Sequence, residues 1–195
     1  MIAALDWCSG ICWSIVYILA IVVGFRKKTY CIPWLCICLN FSWELLVVVK
    51  RYLSSSFYEL GFVAQILWLL LDIVVLATWI MYDYKKTLFA KALAFVGAFV
   101  VMYCWTFCAN MWEISAFVIN LLMSVLFLCR KPGVWSLKSI ALLKMIGTIS
   151  ATVLNGWVFD SLIIVWLGGL IFIVDAYYFF GLCFKPKEVE YEKND

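Results

Sequence analysis

The chain has 195 residues, 67% of them hydrophobic and only 14% charged, about half the charged share of a soluble domain. Such a composition excludes an ordinary soluble enzyme and describes a membrane protein. The lack of any histidine excludes imidazole ligation and Ser-His or Cys-His nucleophilic machinery. The net charge of +3 reflects loop topology and points to no nucleic-acid partner.

Apolar runs of roughly 18 residues or more, the length that crosses a hydrocarbon core, recur near 9–25, 31–49, 61–82, 88–108, 112–129, 134–155 and 161–183. Backbone groups in lipid must be satisfied within a helix or a closed barrel, and these runs lack the alternation of barrel strands. The expected fold is therefore an all-α integral membrane protein, a seven-transmembrane-helix bundle over residues 1–184 with a polar tail at 185–195. The first run has no arginine-rich start and no small-residue cleavage site, so it is read as helix one and not as a removed signal. Basic residues then alternate between connections. Arg26, Lys27 and Lys28, then Lys85, Lys86 and Lys91, then Arg130, Lys131 and Lys138, then the tail lysines fall on one side, which places the N-terminus outside and the C-terminus in the cytoplasm. Lys50 and Arg51 on the other side can snorkel from an extended second helix.

In the second run, "YCIPWLCICLNFSWELLVVVKRYL", Asn40 and Glu44 are four residues apart and leave one helix face, with Trp43 beside them. In the third, Gln65, Trp68, Asp72 and Trp79 stand at i, i+3, i+7 and i+14, one stripe of a helix that sets an acid between indoles. The fifth offers Glu113, Phe117, Asn120 and Ser124 on a stripe, the sixth Lys144, Thr148 and Ala151, and the seventh Asp175 with Tyr178 one turn on. Glu113 and Asp160 lie near helix starts, where water reaches them.

Ionisable groups inside spanning helices are costly and face the bundle interior. Glu44, Asp72, Lys144 and Asp175 meet that description. Lys144 and Asp175, on sequential antiparallel helices, could equally exist to neutralise each other as a buried pair. Asn40 and Asn120 have interhelical hydrogen bonding as their plain alternative, and many of the eleven tryptophans belong to interfacial belts. The nine cysteines lie mostly inside apolar runs without CxxC spacing and behave as small hydrophobes.

Taken as a set, these residues resemble the small membrane-bound terpene cyclases of fungal meroterpenoid and indole-diterpene biosynthesis. "LNFSWELL" (39–46) is similar to an Asn-x-x-Trp-Glu signature in their second helix, and "LWLLLDIVVLAT" (67–78) to their third-helix tryptophan-to-aspartate stretch. "SLKSIALLKMIGTISA" (136–151) resembles their basic loop running into Lys-x-x-Gly-Thr, and "IVDAYY" (173–178) their last-helix aspartate followed by tyrosine. The chain is shorter than the fungal members, as a bacterial or divergent relative would be.

The resemblance implies Glu44 and Asp175 as the acids required for cyclisation. It also implies a hydrophobic polyprenyl substrate, usually epoxidised and carried on an aromatic or indole head group, and initiation by protonation with neither cofactor nor metal. No DDxxD-like cluster supports magnesium-assisted diphosphate ionisation. Protonation takes a carboxyl that keeps its proton, which apolar surroundings favour. Glu44 is then the leading acid, Asp175 a second acid or the group that orients it, and Asp72 a supporting acid or terminating base. Asn40, Trp43, Trp68, Trp79, Asn120, Lys144 and Tyr178 are the expected substrate-binding residues. At ~1.5 Å per residue, Asp175 falls ~20 Å into its helix and Glu44 ~8–14 Å into its own, so the two bracket a cavity. The competing reading is a proton-coupled transporter or small seven-helix receptor, with the same carboxyls inside the bundle. The expected location is a bacterial plasma membrane or the endoplasmic reticulum.

Overall fold

A computed structural model describes residues 2–54, 60–129 and 138–184. The tail from 185 and the loop residues Arg130 and Lys131 lie outside the described residues. Seven α-helices and no strand are present among those described: α1 (Ile2–Lys27), α2 (Trp34–Leu53), α3 (Leu60–Tyr82), α4 (Leu88–Tyr103), α5 (Trp112–Cys129), α6 (Lys138–Thr152) and α7 (Leu162–Phe184). Six of them are long and apolar enough to cross a bilayer, α4 and α6 reaching that length through π-helical turns, Cys104–Cys108 and Val153–Val158. The other helix, α2, has 20 residues and carries Glu44, Lys50 and Arg51. Together these features make the chain an integral, multi-pass membrane protein.

Local chemistry sets the helix ends. Pro33, with φ −54° and ψ 132°, lacks an N–H and stands just before α2, where none is needed. Thr87 caps α4 by accepting from the Ala90 N–H at 3.2 Å, as a threonine cap does. Lys28, Asn110 and Asp160 take positive φ of 50°, 54° and 56°, each in the reversal after a helical segment. Hydroxyls inside the helices satisfy themselves on their own backbone: Ser42 donates to the Cys38 carbonyl at 2.7 Å and Thr152 to that of Thr148 at 2.7 Å. Satisfaction within the helix is what an apolar surrounding demands.

Helices α1, α3, α2, α5, α7 and α6 close a ring in that order, and α4 packs outside it against α2. Small residues let neighbours approach. At Gly168 of α7 a Cβ would overlap the Thr152 side chain, so α6 and α7 meet there backbone to side chain. The main apolar core, with Tyr17, Ile37, Val75, Trp79 and Phe127, fills the ring at the end where α2 begins. The large apolar residues of α7 and α4, such as Trp166, Ile173, Phe89 and Val100, face outward, where a bilayer replaces water as the solvent. The buried Cys31 thiol, in the connection between α1 and α2, is pushed up to about 11 by burial. It remains a protonated, inert member of the core.

Candidate active site

At the opposite end the ring is hollow. A cavity of about 460 Å³, within the range of small-molecule sites, is lined from the first half of α1, the second half of α2, the starts of α3 and α5, and the end of α6. Neither α4 nor α7 contributes to its wall. The mouth carries Asp6, Lys50, Ser54 and Glu113, all exposed, with the Lys50 ammonium 4.0 Å above the Trp112 ring. Further in, Trp13, Trp43, Trp68 and Phe117 supply aromatic surface. The indoles are pinned by their N–H groups: Trp43 donates to the Trp112 carbonyl at 2.9 Å and Trp68 to Ser14 Oγ at 3.0 Å.

Glu44 stands in this wall, 3% exposed. Its carboxyl accepts a hydrogen bond from the amide of Gln65 on α3, a neutral donor. One turn before it on the same face, Asn40 also lines the cavity. The Asn40 amide donates to the Tyr17 hydroxyl at 2.7 Å and to Asp72 Oδ2 at 2.8 Å, and Tyr17 is itself hydrogen-bonded to Asp72. Tyr17 lines the cavity, while Asp72 is buried behind it. Across the hollow, Asn120 donates from Nδ2 to Thr148 Oγ1 at 2.8 Å. Its Oδ1 is the buried side-chain polar atom that has no partner among the described residues. Asn120 is 9% exposed and lines the cavity, so an acceptor is left open at the wall.

The second charged cluster is closed. Lys144 donates to both oxygens of Asp175, at 2.9 and 2.7 Å, and to Ser124 Oγ at 2.6 Å. It is the ion pair present among the described residues, with side chains 1% and 4% exposed. Ser124 in turn donates to the Asn120 carbonyl at 2.9 Å, and the Lys144 ammonium lies 5.9 Å from the Trp13 ring. The pair therefore braces the wall from behind without opening onto the cavity.

Of the expected site residues, Glu44, Asn40, Trp43, Trp68 and Asn120 meet at the cavity. Asp72 reaches it through Asn40 and Tyr17. Asp175 and Lys144 sit outside it, each occupied by the other. Trp79 lies toward the far end of the ring, stacked on Trp34 at 5.9 Å and donating to Asp83 at 2.9 Å. Tyr178 stacks on Phe127 at 5.8 Å in the core. Asp6, Ser9, Trp13 and Tyr17 of α1 were not anticipated, although their spacing by three and four residues is a helical stripe that the sequence displays. Asn155 is also new: the π-helical turn sets it on the cavity wall, a placement such turns often serve. No three His, Cys, Asp or Glu side chains converge among the described residues to hold a metal ion.

Residues 1–185 match the family described as Pyr4-like transmembrane terpene cyclases. The chain belongs to that family. Among its curated relatives, the Pyr4-family terpene cyclase mfmH of Annulohypoxylon moriforme is 37% identical over 73 residues, covering 37% of this chain and 28% of that protein. Terpene cyclase macJ of Penicillium terrestre is 35% identical over 69 residues, covering 34% of this chain and 24% of that protein. The matched stretches thus span well under two thirds of either relative. No solved structure matches the chain. In this Pyr4-like member the ring of helices encloses a cavity walled by indoles, with one carboxyl, Glu44, held in that wall by a neutral partner.

Proposed function

We propose that the chain is a membrane-bound terpene cyclase in which Glu44 protonates an epoxide or alkene of a polyprenyl substrate, and the cavity guides the resulting cation through ring closure. The observation that carries this reading is the environment of Glu44: buried, on the cavity wall, and bonded to an amide and not to a cation. In this reading Glu44 gives its proton from the cavity wall, where the Gln65 amide holds the carboxyl in place. The indoles of Trp13, Trp43 and Trp68 in the cavity wall can stabilise a migrating positive charge without trapping it. The inner part of the cavity, away from its polar mouth, limits the water that can quench the cation and holds the chain folded for closure. Asn120 offers its open carbonyl to a donor on the substrate, and behind it Lys144 of α6 ties Asp175 of α7 and Ser124 of α5 together.

The connections bearing Arg26, Lys27, Lys28, Lys85 and Lys86 lie at the end opposite the mouth, so the mouth and N-terminus face away from the cytoplasm. The family and the names of the relatives support a terpene cyclase, and the sequence resemblance is what favours a prenylated aromatic or indole substrate. Membranes containing the chain, given the terminal epoxide of farnesol or of a farnesylated phenol, are expected to yield an isomeric cyclic product by mass spectrometry. Glu44→Gln membranes with the same amount of folded protein are expected to yield none. Unchanged turnover in that variant contradicts the assignment.

A further inference from the structure

Proton delivery by Glu44 leaves a step unassigned: the cation must lose a proton at the end, and no second carboxyl sits in the inner wall. The other acids lining the cavity, Asp6 and Glu113, are at the exposed mouth, and Asp175, outside it, is paired with Lys144. What the inner wall does present is Tyr17, whose hydroxyl lies beside Asn40, itself one helical turn from Glu44. Behind it, Asp72 is 2% exposed, and both Tyr17 and the Asn40 amide hydrogen-bond to it. Two donors converging on one carboxyl mark it as an acceptor. Asn40 also donates to the phenol oxygen, which fixes that oxygen at the wall and directs its own hydrogen toward Asp72.

We propose that Tyr17 is a catalytic residue, the group that removes the final proton from the cyclised cation and relays it to Asp72. This rests on the cyclase reading above. In the step, the C–H bond beside the cationic carbon breaks and its electron pair forms the alkene. The proton goes to the Tyr17 oxygen as the Tyr17 hydrogen passes to an Asp72 oxygen. The substrate changes from cation to neutral alkene and Asp72 from carboxylate to carboxylic acid, while Tyr17 ends as it began. Glu44, which gave a proton at the start, is left as the carboxylate. Water entering as product leaves carries the proton from the Asp72 side back to Glu44, and the cycle closes without net consumption of protons. Asn40 is the positioning residue that holds the phenol and the carboxyl in register.

The test compares wild type, Tyr17→Phe and Asp72→Asn in membranes supplied with the terminal epoxide of a farnesylated phenol, reading both epoxide consumption and the ratio of cyclic alkene to water-trapped cyclic alcohol. That ratio is independent of how much enzyme folds, so poor yield of one variant does not spoil it, and the other variant repeats the measurement. Epoxide opening should continue in both variants, with the alkene-to-alcohol ratio falling ~10-fold or more, since a positioned base typically contributes ~10²–10⁴-fold to its step. The double variant should be no worse than either single one, because the two residues act in one relay. A wild-type ratio in both variants overturns the relay, as does abolished epoxide consumption in both, which marks a structural role. A wild type that forms no cyclic product defeats the cyclase reading itself, before the variants are compared.

Discussion

Glu44 and Asp175 are the same kind of group, a carboxyl buried in a helix of one bundle, and the structure gives them opposite surroundings. Glu44 has a neutral amide from Gln65 and a hollow beside it. Asp175 has both oxygens taken by the Lys144 ammonium and does not line that cavity. The first faces a space that a substrate could enter, whereas the second is occupied by its partner and stands away from that cavity. On the reading proposed above, depth in the membrane alone does not make a carboxyl catalytic; its partner and its access to open space do.

The comparison breaks most sharply at Glu44. Glu44→Gln preserves shape and hydrogen bonding, and should lower turnover by ~10²–10⁴-fold while thermal unfolding in detergent stays at the wild-type midpoint. At the other carboxyl the loss should be one of stability. Lys144→Met strands a buried charge and should cost ~3–5 kcal/mol, whereas Lys144→Met with Asp175→Leu removes both charges and should recover most of it. Denaturant or thermal titration of the three proteins checks this. A smaller effect is expected where α6 meets α7. Gly168→Ala puts a methyl into Thr152 and should destabilise by ~1–3 kcal/mol, through the same packing that brings Lys144 to Asp175.

The smallest effect is expected at the open acceptor. Asn120→Leu should raise KM for a donor-bearing substrate by ~2–10-fold, the worth of one hydrogen bond. The variant loses the Nδ2 hydrogen bond to Thr148 together with the unpartnered oxygen, so the two changes offset and the unfolding midpoint should stay close to wild type. Kinetics with a hydroxylated substrate and its methyl ether separate the two consequences: the methyl ether should show no difference between wild type and variant.

How much of this the sequence discloses depends on what periodicity encodes. The intramembrane charges stand out because each is expensive, and Asn40, Trp43 and Glu44 share a face by spacing alone; all three line the cavity. Gln65, Trp68 and Trp79 share a face as well, yet fourteen residues separate the first from the last, ~21 Å along the axis. Spacing fixes the angle around a helix and leaves its depth unassigned, and so Trp79 stacks on Trp34 at the far end while Gln65 and Trp68 meet the cavity. The choice between partner and catalyst for Asp175 turns on which helices adjoin. In the ring α7 touches α6 and α5, and Lys144 and Ser124 then fall beside it. Tyr17 is passed over for a different reason: it ends the Asp6, Ser9, Trp13 stripe of a mostly apolar helix, and a phenol there reads as core until Asn40 and Asp72 are seen beside it.

The most direct measurement sets the two carboxyls against each other in one assay. Wild type, Glu44→Gln and the Lys144→Met/Asp175→Leu double variant are purified as folded protein and supplied with the terminal epoxide of a farnesylated phenol, with cyclic product counted per folded molecule. The account predicts a folded but inactive Glu44→Gln and a double variant that still cyclises. An active Glu44→Gln beside a folded, inactive double variant would contradict it, and would transfer the acid's role to Asp175.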